Sequence, residues 1–169
     1  MSLPGQQIQA GRYSTIPRCL SFLIRAEHVL LLRIAGDRGS WSGLLNGIGG
    51  HIERGEDPRT AALREIKEEA GLILNPSSLY LSGVVSVDVG NSPGIGLYVF
   101  VAETTALGTR GSGEGIPEWV ALADIEEQKL VADLPVLLPR ALKGYHEKQP
   151  FSALTTFDEG GIPIVRFCP

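Results

Sequence analysis

Apolar positions along this chain fall into short runs broken by Gly, Pro, Asp and Asn, and the breaks predict its elements. Within residues 18–34 two apolar runs, 19–24 and 29–34, flank the polar stretch 25–28, which predicts a β-hairpin. Residues 35–50 are rich in Gly, Ser, Asp and Asn yet carry Trp41, Leu44, Leu45 and Ile48, so an ordered loop packed against the fold is expected. Asp57 as N-cap and Pro58 as first helical residue open a helix that runs to Ala70, where Gly71 stops it. Residues 79–87 and 95–102 read as strands joined through Gly90-Asn91-Ser92-Pro93-Gly94, and 108–117 as a Gly-rich loop. A short strand over 118–122, a second helix over 133–145 with Pro135 near its start, and two strands within 151–167 around Asp158-Glu159-Gly160-Gly161 complete the reading. Strands and helices do not alternate strictly. The class is therefore α+β, with helices packed against a mixed sheet.

Length and composition narrow the partners. The 169 residues suit one domain, 1–169, with 1–16 read as an N-terminal extension and Met1-Ser2-Leu3 set aside as a cloning scar. Fifteen Lys and Arg stand against 19 Asp and Glu, a mildly acidic balance that disfavours polymeric nucleic acid as a partner. A bound nucleotide should be small. Cys19 and Cys168 give no disulfide framework, no apolar run approaches the roughly 18 residues that span a bilayer, and the start lacks the pattern of a secretory signal. A cytoplasmic location and no membrane partner are the default expectations, and a homodimer stays open.

Chemistry concentrates in residues 50–72. On the helix, Ala62, Leu63, Ile66 and Ala70 share an arc of about 100°, and Glu65, Glu68 and Glu69 share another well away from it. Like charges three and four residues apart each destabilise a helix by a few tenths of a kcal/mol. Arg64 offsets part of this through Glu68, and a divalent cation would offset far more. Carboxylates gathered on one face suit magnesium, with manganese as the alternative, because these hard cations keep waters and bridge to substrate phosphates. A solvated acidic helix face is the competing explanation for the glutamates taken alone.

The surrounding residues shift that balance. Gly50, Glu56, Arg64, Glu65, Ile66, Glu68, Glu69, Gly71 and Leu72 fill every fixed position of a pattern that resembles the Nudix signature. The resemblance implies an α/β/α sandwich with a mixed sheet, and an enzyme of the MutT-like type that cleaves a phosphoanhydride by attack of water at phosphorus. It implies Mg2+ or Mn2+ held by Glu65, Glu68 and Glu69, the Gly49 carbonyl as a further ligand, and Glu56 supporting the metal or the local geometry. Arg64 would orient a carboxylate through its guanidinium fork. Glu65 or a distant glutamate would act as general base, with Glu114 the candidate and Glu118 its rival.

The same resemblance frames the substrate, a small nucleoside diphosphate linked to another group. Arg33 matches a position where MutT-like enzymes set a basic residue against phosphate. Leu45-Asn46-Gly47-Ile48-Gly49-Gly50 resembles a stretch of oxidised-purine triphosphatases in which the Asn contacts the base, so Asn46 is a candidate to read a purine edge, with a turn residue bonding its own backbone as the rival role. Asp133 in Val131-Ala132-Asp133-Leu134 is the nearest match to that subfamily's Trp-Pro-Asp-Asp, but the Trp is missing, and a helix N-cap is its rival role. Trp41, Trp119 and Tyr98 are further candidates to stack on a base. A catalytically weak nucleotide sensor and a hydrolase of a non-nucleotide diphosphate are the alternative functions.

Overall fold

In a computed structural model, residues 11–90, 93–106 and 108–168 are described. The turn residues Asn91 and Ser92, and the first ten residues of the expected extension, lie outside that set. The predicted hairpin is β1 (Thr15–Arg25) and β2 (His28–Ile34), turned at Ala26 and Glu27. Ala26 takes a left-handed φ of 49° there. β1 begins earlier than the apolar pattern suggested. Its first residues pair with β5 (Gly94–Glu103), and the Tyr13 hydroxyl donates to the Val87 carbonyl at 3.2 Å, so residues 13–16, read as an extension, are tied to the sheet.

The remaining strands are β3 (Leu45–Asn46), β4 (Tyr80–Val87), β6 (Gly115–Ala121), β7 (Phe151–Phe157) and β8 (Pro163–Phe167). The sheet runs β3-β2-β1-β5-β4-β7-β8, with β6 paired to β2. β1–β5 and β4–β7 are parallel and the other pairs antiparallel, the mixed sheet that was expected. The 108–117 loop is shorter than its glycines suggested, because Gly115, Ile116 and Pro117 pair with Ile34, Arg33 and Leu32. Pro117 is tolerated because β6 needs donors on one side only.

Two helices cover the two faces. α1 (Pro58–Ala70) is capped as its sequence dictates: Asp57 Oδ1 accepts from the amides of Arg59 and Thr60 at 2.9 and 3.2 Å, and Gly71 closes the end at φ 69°. Its buried Ala61, Ala62, Ile66 and Ala70 pack on Cys19 and Leu23 of β1 and Phe100 and Ala102 of β5. α2 (Leu134–Glu147) lays Leu134, Leu137, Leu138 and Ala141 on the opposite face, against Leu20, Phe22, Val85 and Val99. Ser82 Oγ donates to the Ala141 carbonyl at 2.6 Å, and Gly144 sits against Ser82 where a side chain would not fit. Side chains alternate across a strand, so β1 sends Cys19, Ser21 and Leu23 toward α1 and Arg18, Leu20, Phe22 and Ile24 toward α2. No helix among the described residues is long and apolar enough to cross a membrane.

Candidate active site

The segment from β3 to α1 is stitched to β1. Cys19 N donates to the Gly50 carbonyl at 3.0 Å and Ser21 N to the Ile48 carbonyl at 2.6 Å. Alternation along this extended stretch turns the intervening Gly49 carbonyl away from β1. A Cβ on Gly49 would run into the Cys19 carbonyl, so that position needs glycine for close approach, and one on Gly50 would press on the Glu65 carboxylate. The Gly49 amide donates to Glu69 Oε2 at 2.9 Å, joining the start of the motif to the last turn of α1.

Arg64 organises the acids around it. Its Nε and Nη2 donate to the two carboxylate oxygens of Glu56 at 2.8 and 3.0 Å, its Nη1 to Glu65 at 2.8 Å and Glu68 at 3.1 Å, and its Nη2 also to the His51 carbonyl at 2.9 Å. The Arg64 guanidinium, with Glu56 also accepting from the Glu53 amide, holds the Glu56 carboxyl below the usual carboxylate range. Glu56 thus acts on the geometry of Arg64. Glu68 is the most exposed of the acids in this network.

Glu69 is different in kind. It is 2% exposed, and burial pushes its pKa up to about 8 despite the Gly49 amide, with Glu65 and Glu114 adding repulsion. Burial raises Glu65 as well, against the opposing pull of Arg64. Glu114, on the loop before β6, lines the same cavity as Glu69 and adds to the repulsion on its carboxylate, so the candidate general base is brought to the motif from a distant stretch of chain. An excess of buried carboxylate over nearby cation is what a hard divalent ion would neutralise. Among the described residues no three His, Cys, Asp or Glu side chains form a ready-made cage, since Arg64 already holds Glu65 and Glu68. The donor set fits magnesium or manganese chemistry, with Glu65, Glu69 and the Gly49 carbonyl the groups able to hold it.

Beside this cluster opens a cavity of about 580 Å³. Its lining brings Gly49, Gly50, Glu69 and Glu114 together with Asn46, Gly47, Val131 and Asp133, with Leu20, Val87, Ile95, Leu97, Phe157 and Pro163 supplying apolar wall. Asp133 stands at the N-cap position of α2, but its side chain makes no capping bond, and burial raises its pKa. The rival capping role therefore fails. Asn46 Oδ1 accepts from the Gly47 amide at 2.8 Å, which fixes its rotamer and leaves its NH2 group to donate.

Other expectations are redirected. Arg33 does not reach the cavity lining: it forks onto Glu118 across the β2–β6 pair at 2.6 and 2.8 Å and donates to the Gly43 carbonyl, which also removes Glu118 as a rival base. Trp119 stacks under Arg25 at 4.4 Å, and Tyr98 packs on the α1 side, so neither faces the cavity. Trp41 does line it and is 50% exposed. Two lining arginines were missed, Arg38, whose Nη2 lies 3.6 Å from Glu114, and Arg18. Arg18 was legible in principle, since it keeps the two-residue phase of Leu20, Phe22 and Ile24 on β1.

Comparison with known proteins agrees with this geometry. The family model described as NUDIX domain matches residues 16–141. A curated relative, the oxidized purine nucleoside triphosphate hydrolase of Danio rerio, is 29% identical over 107 residues, 63% of this chain and 67% of its own length. The crystal structure of a MutT protein from Bacillus halodurans superposes with a TM-score of 0.70 at 20% identity, covering 91% of this chain and 98% of that one. A bifunctional NMN adenylyltransferase/ADP ribose pyrophosphatase from Francisella tularensis, complexed with AMP and a Mn ion, matches at TM-score 0.61 and 16% identity, over 79% of this chain and 43% of that one. The chain belongs to the NUDIX domain family. Within it, this protein stands with the hydrolases of phosphorus-containing anhydrides.

Proposed function

We propose that the protein is a pyrophosphohydrolase of small nucleotides, and that a purine nucleoside triphosphate, oxidised on the base, is the substrate class its cavity suits best. One observation carries this reading: a single cavity joins the carboxylate cluster at Glu69 and Glu114 to the polar groups of Asn46 and Asp133. Phosphate chemistry and base recognition would then sit in one continuous space, as a nucleotide requires. The Danio rerio relative and the AMP held by the Francisella tularensis neighbour support the same class.

Water would attack phosphorus while the bridging P–O bond breaks. The water proton would pass to a carboxylate, and the bridging oxygen would leave with the departing phosphate. Glu114 suits the role of general base, because it lines the cavity beside Glu69 and its side chain is exposed to solvent. Glu65 is held by Arg64 and suits a fixed ligand better. A divalent cation bound at Glu65, Glu69 and the Gly49 carbonyl would lower the pKa of water and neutralise charge on the phosphates. Trp41 at the cavity edge would cover one face of the base, the place that the absent Trp of the oxidised-purine pattern leaves open.

The deciding experiment measures hydrolysis of dGTP, 8-oxo-dGTP, ADP-ribose and a non-nucleotide diphosphate with Mg2+ and with Mn2+, identifying each product. Release of a nucleoside monophosphate from the triphosphates supports the proposal. Cleavage confined to the non-nucleotide diphosphate refutes it.

A further inference from the structure

We propose that Arg38 is a positioning residue for hydrolysis: it holds the Glu114 carboxylate in the cavity beside Glu69. This rests on the reading of Glu114 as the base given above. Arg38 Nη2 lies 3.6 Å from Glu114 Oε1, and both residues line the cavity that Glu69 also lines. Their backbones meet as well. The Ala35 amide donates to the Glu114 carbonyl at 2.9 Å, while the Ala35 carbonyl accepts from the Arg38 amide at 3.3 Å. One residue, just past the end of β2, thus sets the spacing of the two side chains.

Glu114 stands where it is repelled. Burial first, and then the charges of neighbouring acids with Glu114 among them, keeps the Glu65 and Glu69 carboxyls above their usual range. Arg64 does not answer that repulsion, because its fork is taken up by Glu56, Glu65 and Glu68. The turn under Glu114 fixes its main chain only: the Glu114 amide donates to Ser112 Oγ at 3.1 Å, and Gly115 pairs with Ile34 of β2. The direction of the carboxylate is left to Arg38. The guanidinium also meets Asp37, whose Oδ1 lies 3.7 Å from its Nε, but that carboxylate is the more exposed and the more screened of the two.

Position, rather than stability, is what this pair supplies. Arg38 and Glu114 are 48% and 56% exposed, and an open ion pair of this kind adds little to folding. A base displaced by about an ångström from the attacking water nevertheless loses much of its effect. The loss therefore falls on turnover and leaves the melting temperature unmoved. A cation that gripped substrate phosphate instead would act on KM, and would do so whether or not Glu114 was present.

A double-mutant cycle on the full chain tests this, with hydrolysis of dGTP or 8-oxo-dGTP in Mg2+, whichever is faster, as the readout. Arg38→Gln is expected to lower kcat roughly five- to tenfold with KM within about twofold. Arg38→Lys, which keeps the charge, is expected to recover most of that loss. In a Glu114→Gln background the Arg38→Gln change is expected to cost nothing further. Equal losses in both backgrounds, a raised KM at constant kcat, no recovery in Arg38→Lys, or wild-type kcat in Glu114→Gln overturns the proposal. A reading free of turnover separates it from the hydrolysis proposal: in metal-free protein the Arg38 Nε nitrogen resonance is expected to shift in Glu114→Gln. An unshifted resonance overturns the pair. A shift in a chain that hydrolyses no nucleotide sustains the hold of Arg38 on Glu114 and refutes the hydrolysis reading instead.

Discussion

The Gly49 amide and the Glu69 carboxylate, 2.9 Å apart, close the catalytic motif on itself: the strand end before the loop is fastened to the last turn of α1, twenty residues on. The bond aims a buried carboxylate at the cavity while its second oxygen stays open to other partners. Glu69→Gln keeps the shape and an oxygen for the Gly49 amide but cannot hold a cation as a carboxylate does. Hydrolysis is expected to fall by about a hundredfold or more, with the thermal midpoint unchanged or raised. Parallel turnover and melting measurements check this, and a variant that retains activity within tenfold of wild type excludes Glu69 from the reaction.

Arg64 carries a separable expectation. Its fork holds both oxygens of Glu56 and one each of Glu65 and Glu68, a planar pattern that an ammonium cannot reproduce. Arg64→Lys retains the charge yet frees the carboxylates to move. Activity is expected to drop roughly 10- to 100-fold, as for groups that orient ligands, and the metal concentration for half-maximal rate to rise. A lower rate at unchanged metal requirement would place Arg64 on the substrate instead.

Stability should depend on pH in an unusual direction when no divalent ion is present. Burial raises the pKa values of Glu69, Glu65 and Asp133. A carboxyl whose folded pKa lies above its unfolded value contributes stability at low pH and loses it as pH climbs through the folded value. For Glu69 that window runs from its ordinary 4.5 to about 8. Glu56 and Asp57, whose pKa values are lowered, act in the opposite sense only at more acid pH. Metal-free protein is thus expected to melt at lower temperature at pH 8 than at pH 6, with Mg2+ or Mn2+ narrowing the gap and Glu69→Gln reducing it. Equal melting temperatures in EDTA at the two pH values would refute the account.

Local chemistry explains what the sequence made readable. Asp57, Pro58 and Gly71 bounded α1 because caps and stops act within a few residues, and the apolar run 19–24 marked β1. The acids of α1 were identified from one helical turn and a matched pattern. Glu114 could be nominated but not placed, since its approach to Glu69 depends on β6 pairing with β2. Arg33 looked free for substrate because its partner Glu118 stands 85 residues away in the chain. Asp133 looked like a cap because the residue type favours that position, and only packing shows its side chain making no such bond. The pairing of β6 with β2 decided the cases of Glu114 and Arg33, and packing at the start of α2 that of Asp133.

Asp133 offers the sharpest test of the recognition end. Its carboxyl lines the cavity, makes no capping bond, and has its pKa raised by burial, so its removal should touch ligand affinity rather than helix stability. Asp133→Asn preserves volume but replaces one oxygen by a donor, which would face N–H groups on the substrate's base. Interactions made equally in ground and transition states alter KM and leave kcat alone. The variant is expected to raise KM for its best purine triphosphate about tenfold, a loss of roughly 1.4 kcal/mol at 25 °C, with kcat within about twofold and the melting temperature unchanged. Steady-state kinetics across a series of bases checks it. A fall in kcat at constant KM would instead place Asp133 among the groups that act on the reacting phosphate, and the division of the cavity into a recognition end and a reacting end would have to be abandoned.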